Sequence, residues 1–266
     1  MGSLITIDDG NYTQHTAHGA GLVPRDFNTR PVGYYAYAAP LPDDVLIPED
    51  QWDDLIKQQE DTQSSLEHLM RLHKVDALDQ NGQGYCWAYS TTGAVQAIRI
   101  KEGQHHVPLS GHMIGCLIKN YRDQGGWNAQ SLEFVCNNGV ASQVLWPQGS
   151  MSKGNDTPTM RADAGGRKVT EFYDLAESGD KVRSQLGSLL LQNIPVMVDF
   201  NWWGHSVVAI RLVKRDPFTI RIRNSWGNSW SDNGWGDLVG SKAIPNGAAA
   251  PRVSTPSPLV GSFVGG

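Results

Sequence analysis

Cysteine is scarce in this chain: three residues in 266, an odd number. A disulfide framework is therefore not the source of the fold, and a reducing compartment is the simpler expectation. Charge is sparse too. Charged residues make up 18% of the chain, below the usual ~25%. The 22 basic and 27 acidic side chains leave a net charge of −5, with no block of one sign. A nucleic-acid partner, which calls for a basic face, is not expected. No apolar run reaches the roughly 18 residues of a membrane span, so no membrane partner is expected either. The first residues, MGSLITIDDGNYTQ, lack the basic and apolar regions of a secretory signal. The pairs His15-x-x-His18 and His105-His106 come nearest to a metal motif, but no Cys/His cluster has zinc spacing. No metal and no cofactor are expected.

Glycine (29) and tryptophan (9) are plentiful. The length suits one large domain or two lobes sharing an interface. Residues 1–45 are punctuated by Gly, Pro, Asn and Asp and read as an extended arm. Tyr34, Tyr35 and Tyr37 are too apolar for a purely solvated tail, so the arm is expected to lie on something. From Pro48 the spacing turns helical, with Trp52, Leu55, Ile56 and Gln59 on one face, then Leu66, Leu69, Met70 and His73 on another. Cys86 to Lys101 and Asn128 to Asn138 read as helices, stopped by Gly103 and Gly139. A further helix at 180–193 leads through Pro195 into β-like runs at 196–200, 205–213, 218–224 and 235–239. Helices first and sheet second make an α+β chain. The expected divisions are 1–45 arm, 46–240 main domain and 241–266 tail. There is no internal repeat.

Three segments carry candidate chemistry. In Gln80-Asn-Gly-Gln-Gly-Tyr-Cys86-Trp-Ala-Tyr-Ser90 a cysteine opens a helix after a glycine-containing loop. Unpaired N–H groups and the helix dipole favour a thiolate there, although a lone cysteine is more often a small buried apolar residue. His205 opens an apolar strand after Gly204, a place that on its own is usually structural. Asn224-Ser-Trp226-Gly could be a turn followed by core tryptophans. Together they read otherwise. Cys, His and Asn in that order are a nucleophile, its base and the group orienting the base. The gaps are 119 and 138 residues, against the ~130–150 of one known signature.

At this point the sequence resembles the papain-like cysteine peptidases. Gln80 stands six residues before Cys86, Cys86-Trp-Ala-Tyr-Ser90 is similar to the family's C-W-A-F-S, and Asn224-Ser-Trp-Gly227 with Trp230 is similar to N-S-W-G-x-x-W. Leu109-Ser110 resembles the opening of the family's next helix, and Gly125-Gly126-Trp127 its substrate-binding G-G-Y. The resemblance implies a two-lobe fold, helical N-terminal lobe and antiparallel β-rich C-terminal lobe, with the cleft between. It implies Cys86 as nucleophile, His205 as base, and Asn224 fixing the imidazole behind Trp226. Gln80 and the Cys86 N–H would form the oxyanion hole, and Gly125, Gly126 and Trp127 would bind the backbone of a peptide or protein substrate.

The chain also departs from that pattern. Gln83 replaces a cysteine the family usually carries, so that disulfide cannot form, and Cys116 has no apparent partner. Tyr85 is bulky where the family is often small, so a narrower space beside the nucleophile is expected. The wall between Val196 and His205 is short and holds Trp202 and Trp203. No recognisable inhibitory prosegment precedes Cys86. Residues 47–56 and 240–245 resemble uncharacterised papain-like proteins of phages and some bacteria. Two readings follow. One is a hydrolase of peptide or related amide bonds. The other is a papain-fold structural or interaction protein of an assembly such as a phage virion, attached through its termini. The expected location is cytoplasmic or virion-associated.

Overall fold

The computed structural model describes residues 3–16 and 21–255. In chain order the elements are β1 (Ile5–Ile7), β2 (Ala38–Pro40), α1 (Trp52–Asp61), α2 (Leu66–Leu72), α3 (Cys86–Lys101), α4 (Gly111–Lys119) and α5 (Asn128–Asn138). Then come α6 (Pro158–Gly165), β3 (Val169–Asp174), α7 (Gly179–Leu191), β4 (Val196–Phe200), β5 (His205–Lys214), β6 (Thr219–Arg223), β7 (Trp235–Val239) and β8 (Gly247–Ser254). Three helix starts are fixed by side-chain caps. Ser65, Ser110 and Thr157 accept the N–H groups of His68, Met113 and Met160, which satisfies donors the helix leaves open.

The strands form one sheet in the order β1-β7-β6-β5-β4-β8-β3-β2. Its interior pairs are antiparallel, and the two edge pairs, β1 with β7 and β2 with β3, are parallel. Period-two alternation separates two cores. Met197, Val208 and Ala249 face α3 and join Trp87, Val95 and Leu132. Val196, Val198, Val207 and Ala248 face the other way and join Leu186, Leu190 and Trp52. α3 is buried from Cys86 through Ile100, a central helix wrapped on all sides. The fold class is α+β, as expected.

The fold runs past both expected boundaries. Residues 5–7 and 38–40 of the arm supply the two edge strands. Tyr35 is buried, whereas Tyr34 and Tyr37 remain exposed. The arm thus lies on its own domain. Residues 247–254, expected as tail, form β8 between β4 and β3. Its Ala- and Gly-rich sequence has low β propensity, but it packs Ala248, Ala249 and Ala250 into both cores. The tail side chains Leu259, Val260, Phe263 and Val264, and His18 of the arm, lie outside the described residues. No helix among the described residues is long and apolar enough to cross a membrane.

Candidate active site

Cys86 opens α3 and His205 opens β5. These two ends lie side by side. The Ser206 hydroxyl is 2.8 Å from that of Ser90, one turn along α3, and the Ser206 backbone N–H is directed at the Cys86 sulfur. The Trp87 and Cys86 N–H groups of the helix start also favour the thiolate, as a helix N-terminus should. Burial outweighs them and pushes the Cys86 thiol up, with the carboxylate of Asp199 adding to the rise.

His205 Nε2 is 2.7 Å from Asn224 Oδ1. That oxygen also accepts the Ser225 N–H at 2.8 Å, which identifies it as the acceptor. Nε2 therefore carries the ring proton, and the Nδ1 lone pair, buried, has no hydrogen-bond partner. Trp226 stacks on the imidazole at 4.7 Å between ring centroids, and Trp203 meets it edge-on at 4.8 Å. Burial lowers the His205 pKa to about 4, opposed by the Asn224 hydrogen bond. Burial thus favours the neutral form of both the thiol and the imidazole.

Gln80 is buried and tied at both ends of its amide. Its Oε1 accepts the Ser225 hydroxyl and its Nε2 donates to the Gln83 carbonyl, each at 2.7 Å. The residue that replaces the family cysteine thus has a task. The Gln83 carbonyl also accepts the Tyr85 N–H at 2.8 Å, and its side chain is bonded to His112. His112 accepts the Gly149 N–H at Nδ1, so Nε2 holds the proton that Gln83 Oε1 receives. Burial lowers His112 to about 4, so it stays neutral. All three cysteines are free and buried. Tyr85 does not narrow the cleft as expected. Its ring packs on Gly115, where a Cβ would lie 2.6 Å away, and its hydroxyl donates to the Arg122 carbonyl.

Gly125 and Gly126 are already in use. The arm enters the cleft as a parallel strand bridging Leu22 to Gly126. The Val23 N–H donates to the Gly126 carbonyl at 2.9 Å, and the Gly126 N–H donates to the Gly21 carbonyl at 3.0 Å. On the opposite wall the Leu22 N–H donates to the carbonyl of Gly204, beside His205. The glycines permit this approach. A Cβ on Gly125 would sit 2.5 Å from the Gly21 oxygen, and one on Gly126 would sit 2.7 Å from the Trp87 ring. Gly21 has φ +92°, and a Cβ there would overlap the Gly84 carbonyl. Trp203 adds an Nε1–H bond to the His15 carbonyl. Trp127 caps the site on the arm side, donating to the Tyr35 hydroxyl. The sequence showed neither this occupant nor Trp203 as a ring partner.

The sequence reading also passed over Asp199. Burial raises its pKa to about 7, opposed by the Ser206 hydroxyl, the Asn128 N–H and the charge of Arg25. The available signal was an acid inside the apolar run VMVDF.

A model of the family described as "Papain family cysteine protease" matches residues 70–211. Papaya proteinase 4 of Carica papaya is 30% identical over 178 residues, covering 58% of this chain and 49% of that protein. Chymopapain, also of Carica papaya, is 26% identical, covering 59% and 49%. The chain thus spans about half the length of these curated relatives. Among solved structures, digestive procathepsin L2 from Tenebrio molitor aligns with a TM-score of 0.62 at 18% identity, covering 95% of this chain and 85% of that one. Xylellain, a cysteine protease from Xylella fastidiosa, aligns with a TM-score of 0.60 at 17% identity, covering 90% and 98%. The fold, and a family match over more than half the chain that takes in the Cys86 helix and the start of the His205 strand, place this chain in the papain family of cysteine proteases.

Proposed function

We propose that the chain is a cysteine-nucleophile hydrolase of peptide bonds, or of a related amide. His205 Nδ1 takes the Cys86 proton, and the thiolate attacks the substrate carbonyl carbon. Gln80 Nε2–H and the Cys86 backbone N–H receive the oxyanion. The imidazolium then protonates the departing amine. Water, deprotonated by the same Nδ1, hydrolyses the thioester and returns the thiol. Asn224 holds the ring in the tautomer that this needs, and Trp203 and Trp226 keep water from that bond.

The observation that supports the reading best is the buried Nδ1 lone pair, unpartnered, on a ring oriented through its other nitrogen. Burial disfavours each charge alone; formed together, thiolate and imidazolium attract. The arm pairs with Gly126 and Gly204 as an extended backbone, the contacts a substrate would take over. The chain as it stands is therefore a latent form. With the arm loosened by Gly21→Ala, hydrolysis of peptide amides is expected, and Cys86→Ala abolishes it. Cleavage that survives Cys86→Ala overturns the mechanism. Absence of cleavage in the loosened chain favours the structural reading.

A further inference from the structure

The Gln80 amide leans on a loop that bends sharply and lies in part at the surface. Asn81 and Gly82 are exposed and take positive φ, +53° and +72°. A disulfide cannot anchor this loop, since Gln83 carries no sulfur. Beyond its local turns, two side-chain bonds tie residues 83 and 84 to distant segments. The Gly84 N–H donates to Asp123 Oδ1 at 2.6 Å, and the Gln83 side chain is bonded to His112. The second bond bears directly on Gln80, because the Gln83 carbonyl is the group that accepts the Gln80 Nε2–H.

His112 is a fixed post. It lies fully buried in α4. The rings of Tyr85 and Tyr89 meet it edge-on, at 5.5 and 5.4 Å between centroids. A Cβ on Gly111 would lie 2.6 Å from the Tyr89 ring, so the glycine before His112 admits that packing. Nδ1 accepts the Gly149 N–H at 3.2 Å and the Tyr89 hydroxyl. Nε2 therefore carries the proton and donates it to Gln83 Oε1. From there the series runs through Gln83 itself to the Gln80 Nε2–H, 2.7 Å from the Gln83 carbonyl. Ser225 holds the other end of the Gln80 amide. An amide held at both ends keeps one orientation, whereas one held at a single end can pivot.

We propose that His112 is a positioning residue for the oxyanion hole, acting through Gln83 to set where the Gln80 Nε2–H group points. The proposal rests on the reading of Gln80 as the oxyanion donor. Such donors work by being fixed before charge develops on the substrate. Their supports must therefore be locked by packing and by hydrogen bonds of their own, and a misplacement near 1 Å can cost about 10²-fold. Burial keeps the imidazole neutral, with its pKa lowered to about 4, so the pattern of one donor and one acceptor nitrogen persists at neutral pH.

The test separates placement from turnover. In the full chain, NMR relaxation of the Gln80 side-chain NH2 group, identified by its loss in Gln80→Ala, should report a rigid amide. His112→Leu removes the donor to Gln83, and Gln83→Leu removes the acceptor while keeping the carbonyl; either should make the Gln80 amide mobile. His112→Gln keeps an N–H near the place of Nε2 and should restore rigidity. In the Gly21→Ala background, His112→Leu should lower kcat roughly tenfold or more, with KM and Cys86 alkylation little changed. Added to Gln80→Ala it should lower kcat no further, since residues that act as one unit are not additive. A Gln80 amide that stays rigid in both Leu variants overturns the role. So does an unchanged kcat, a parallel loss of alkylation, or a full further loss on top of Gln80→Ala. Gln83→Leu leaves α4 untouched, so the answer stands even if His112→Leu folds poorly. A Gly21→Ala chain that cuts no peptide refutes the hydrolase reading, and the NMR comparison still decides whether His112 places Gln80.

Discussion

Asn224 holds His205 by one nitrogen and leaves the other bare: Nε2 lies 2.7 Å from Asn224 Oδ1, while Nδ1 is buried without a partner. The Ser225 N–H, bonded to the same oxygen, prevents the amide from turning over and offering its NH2 group. One backbone bond thus sets the amide, the amide sets the tautomer, and the tautomer leaves a bare nitrogen lone pair beside the residue whose N–H points at Cys86.

Asn224→Ala removes the orienting oxygen. The imidazole then samples other orientations and either tautomer. Turnover in the loosened chain should fall by about 10²-fold, the usual effect of a misplacement near 1 Å, mostly in kcat with KM little changed. An unchanged kcat refutes the orienting role.

Gln80→Ala removes the proposed oxyanion donor and the bond to the Ser225 hydroxyl. A fall of roughly 10²–10³ in kcat is expected. Alkylation of Cys86 passes through no oxyanion and should change far less. Equal losses in turnover and alkylation would mean that Gln80 acts on the fold and not on the transition state.

Much of the candidate site was legible because each part sits at an element boundary with local punctuation. Gly84 before Cys86 and Gly204 before His205 mark where a helix and a strand begin, and α3 and α5 start and stop where the spacing puts them. The arm was legible only as something too apolar for solvent. Which surface it covers depends on Gly126 and Gly204, over 100 residues away along the chain. β8 was hidden by composition. Gly247-Ala-Ala-Ala-Pro251 reads as loop, yet β4 pairs only with residues 247–249, so the N–H that Pro251 lacks is not needed there. Small residues suit a strand squeezed between two cores.

For the same reason, removing residues 241–266 should abolish folding. It deletes an interior strand and leaves β3 and β4 with unpaired edges. Circular dichroism and a cooperative thermal transition decide this. A folded chain ending at residue 240 would mean that β3 and β4 close the sheet without β8.

Asp199 should make stability depend on pH in a definite direction. Burial raises its pKa from 3.8 to about 7, so between those values the folded chain holds a proton that the unfolded chain has released. Stability from this group is therefore lost as pH rises from about 4 to 7. His205, lowered from 6.5 to about 4, works the other way. Between pH 4 and 6.5 the unfolded chain binds the extra proton, so its contribution is lost as pH falls. Comparing Asp199→Asn with the parent cancels the histidine. The melting temperature of the variant minus that of the parent should be more positive at pH 7.5 than at pH 4. A difference that is flat or falls with pH contradicts the raised pKa.

Gly21 is a position where the arm can be strained without changing any of the proposed catalytic side chains. Its φ of +92° is one that side-chain-bearing residues rarely adopt, and a Cβ would overlap the Gly84 carbonyl, two residues before Cys86. Strain of this kind costs roughly 1–3 kcal/mol, which shifts an open–closed equilibrium by about 5- to 150-fold. The rest of the arm stays attached, because β1 and β2 remain in the sheet and Arg25 remains on Asp174. Gly21→Ala should therefore raise iodoacetamide labelling of Cys86 at pH 6 by at least about fivefold, with Cys116 and Cys136, both buried elsewhere, unchanged as internal controls. At that pH a thiol of ordinary pKa, ~8.5, is almost wholly protonated. Rapid labelling of Cys86 alone then requires both access and a base at hand. In the parent chain all three should label slowly. If Cys86 already labels rapidly in the parent, the arm does not close the cleft in solution. If Gly21→Ala leaves Cys86 as slow as its two neighbours, His205 does not ionise it.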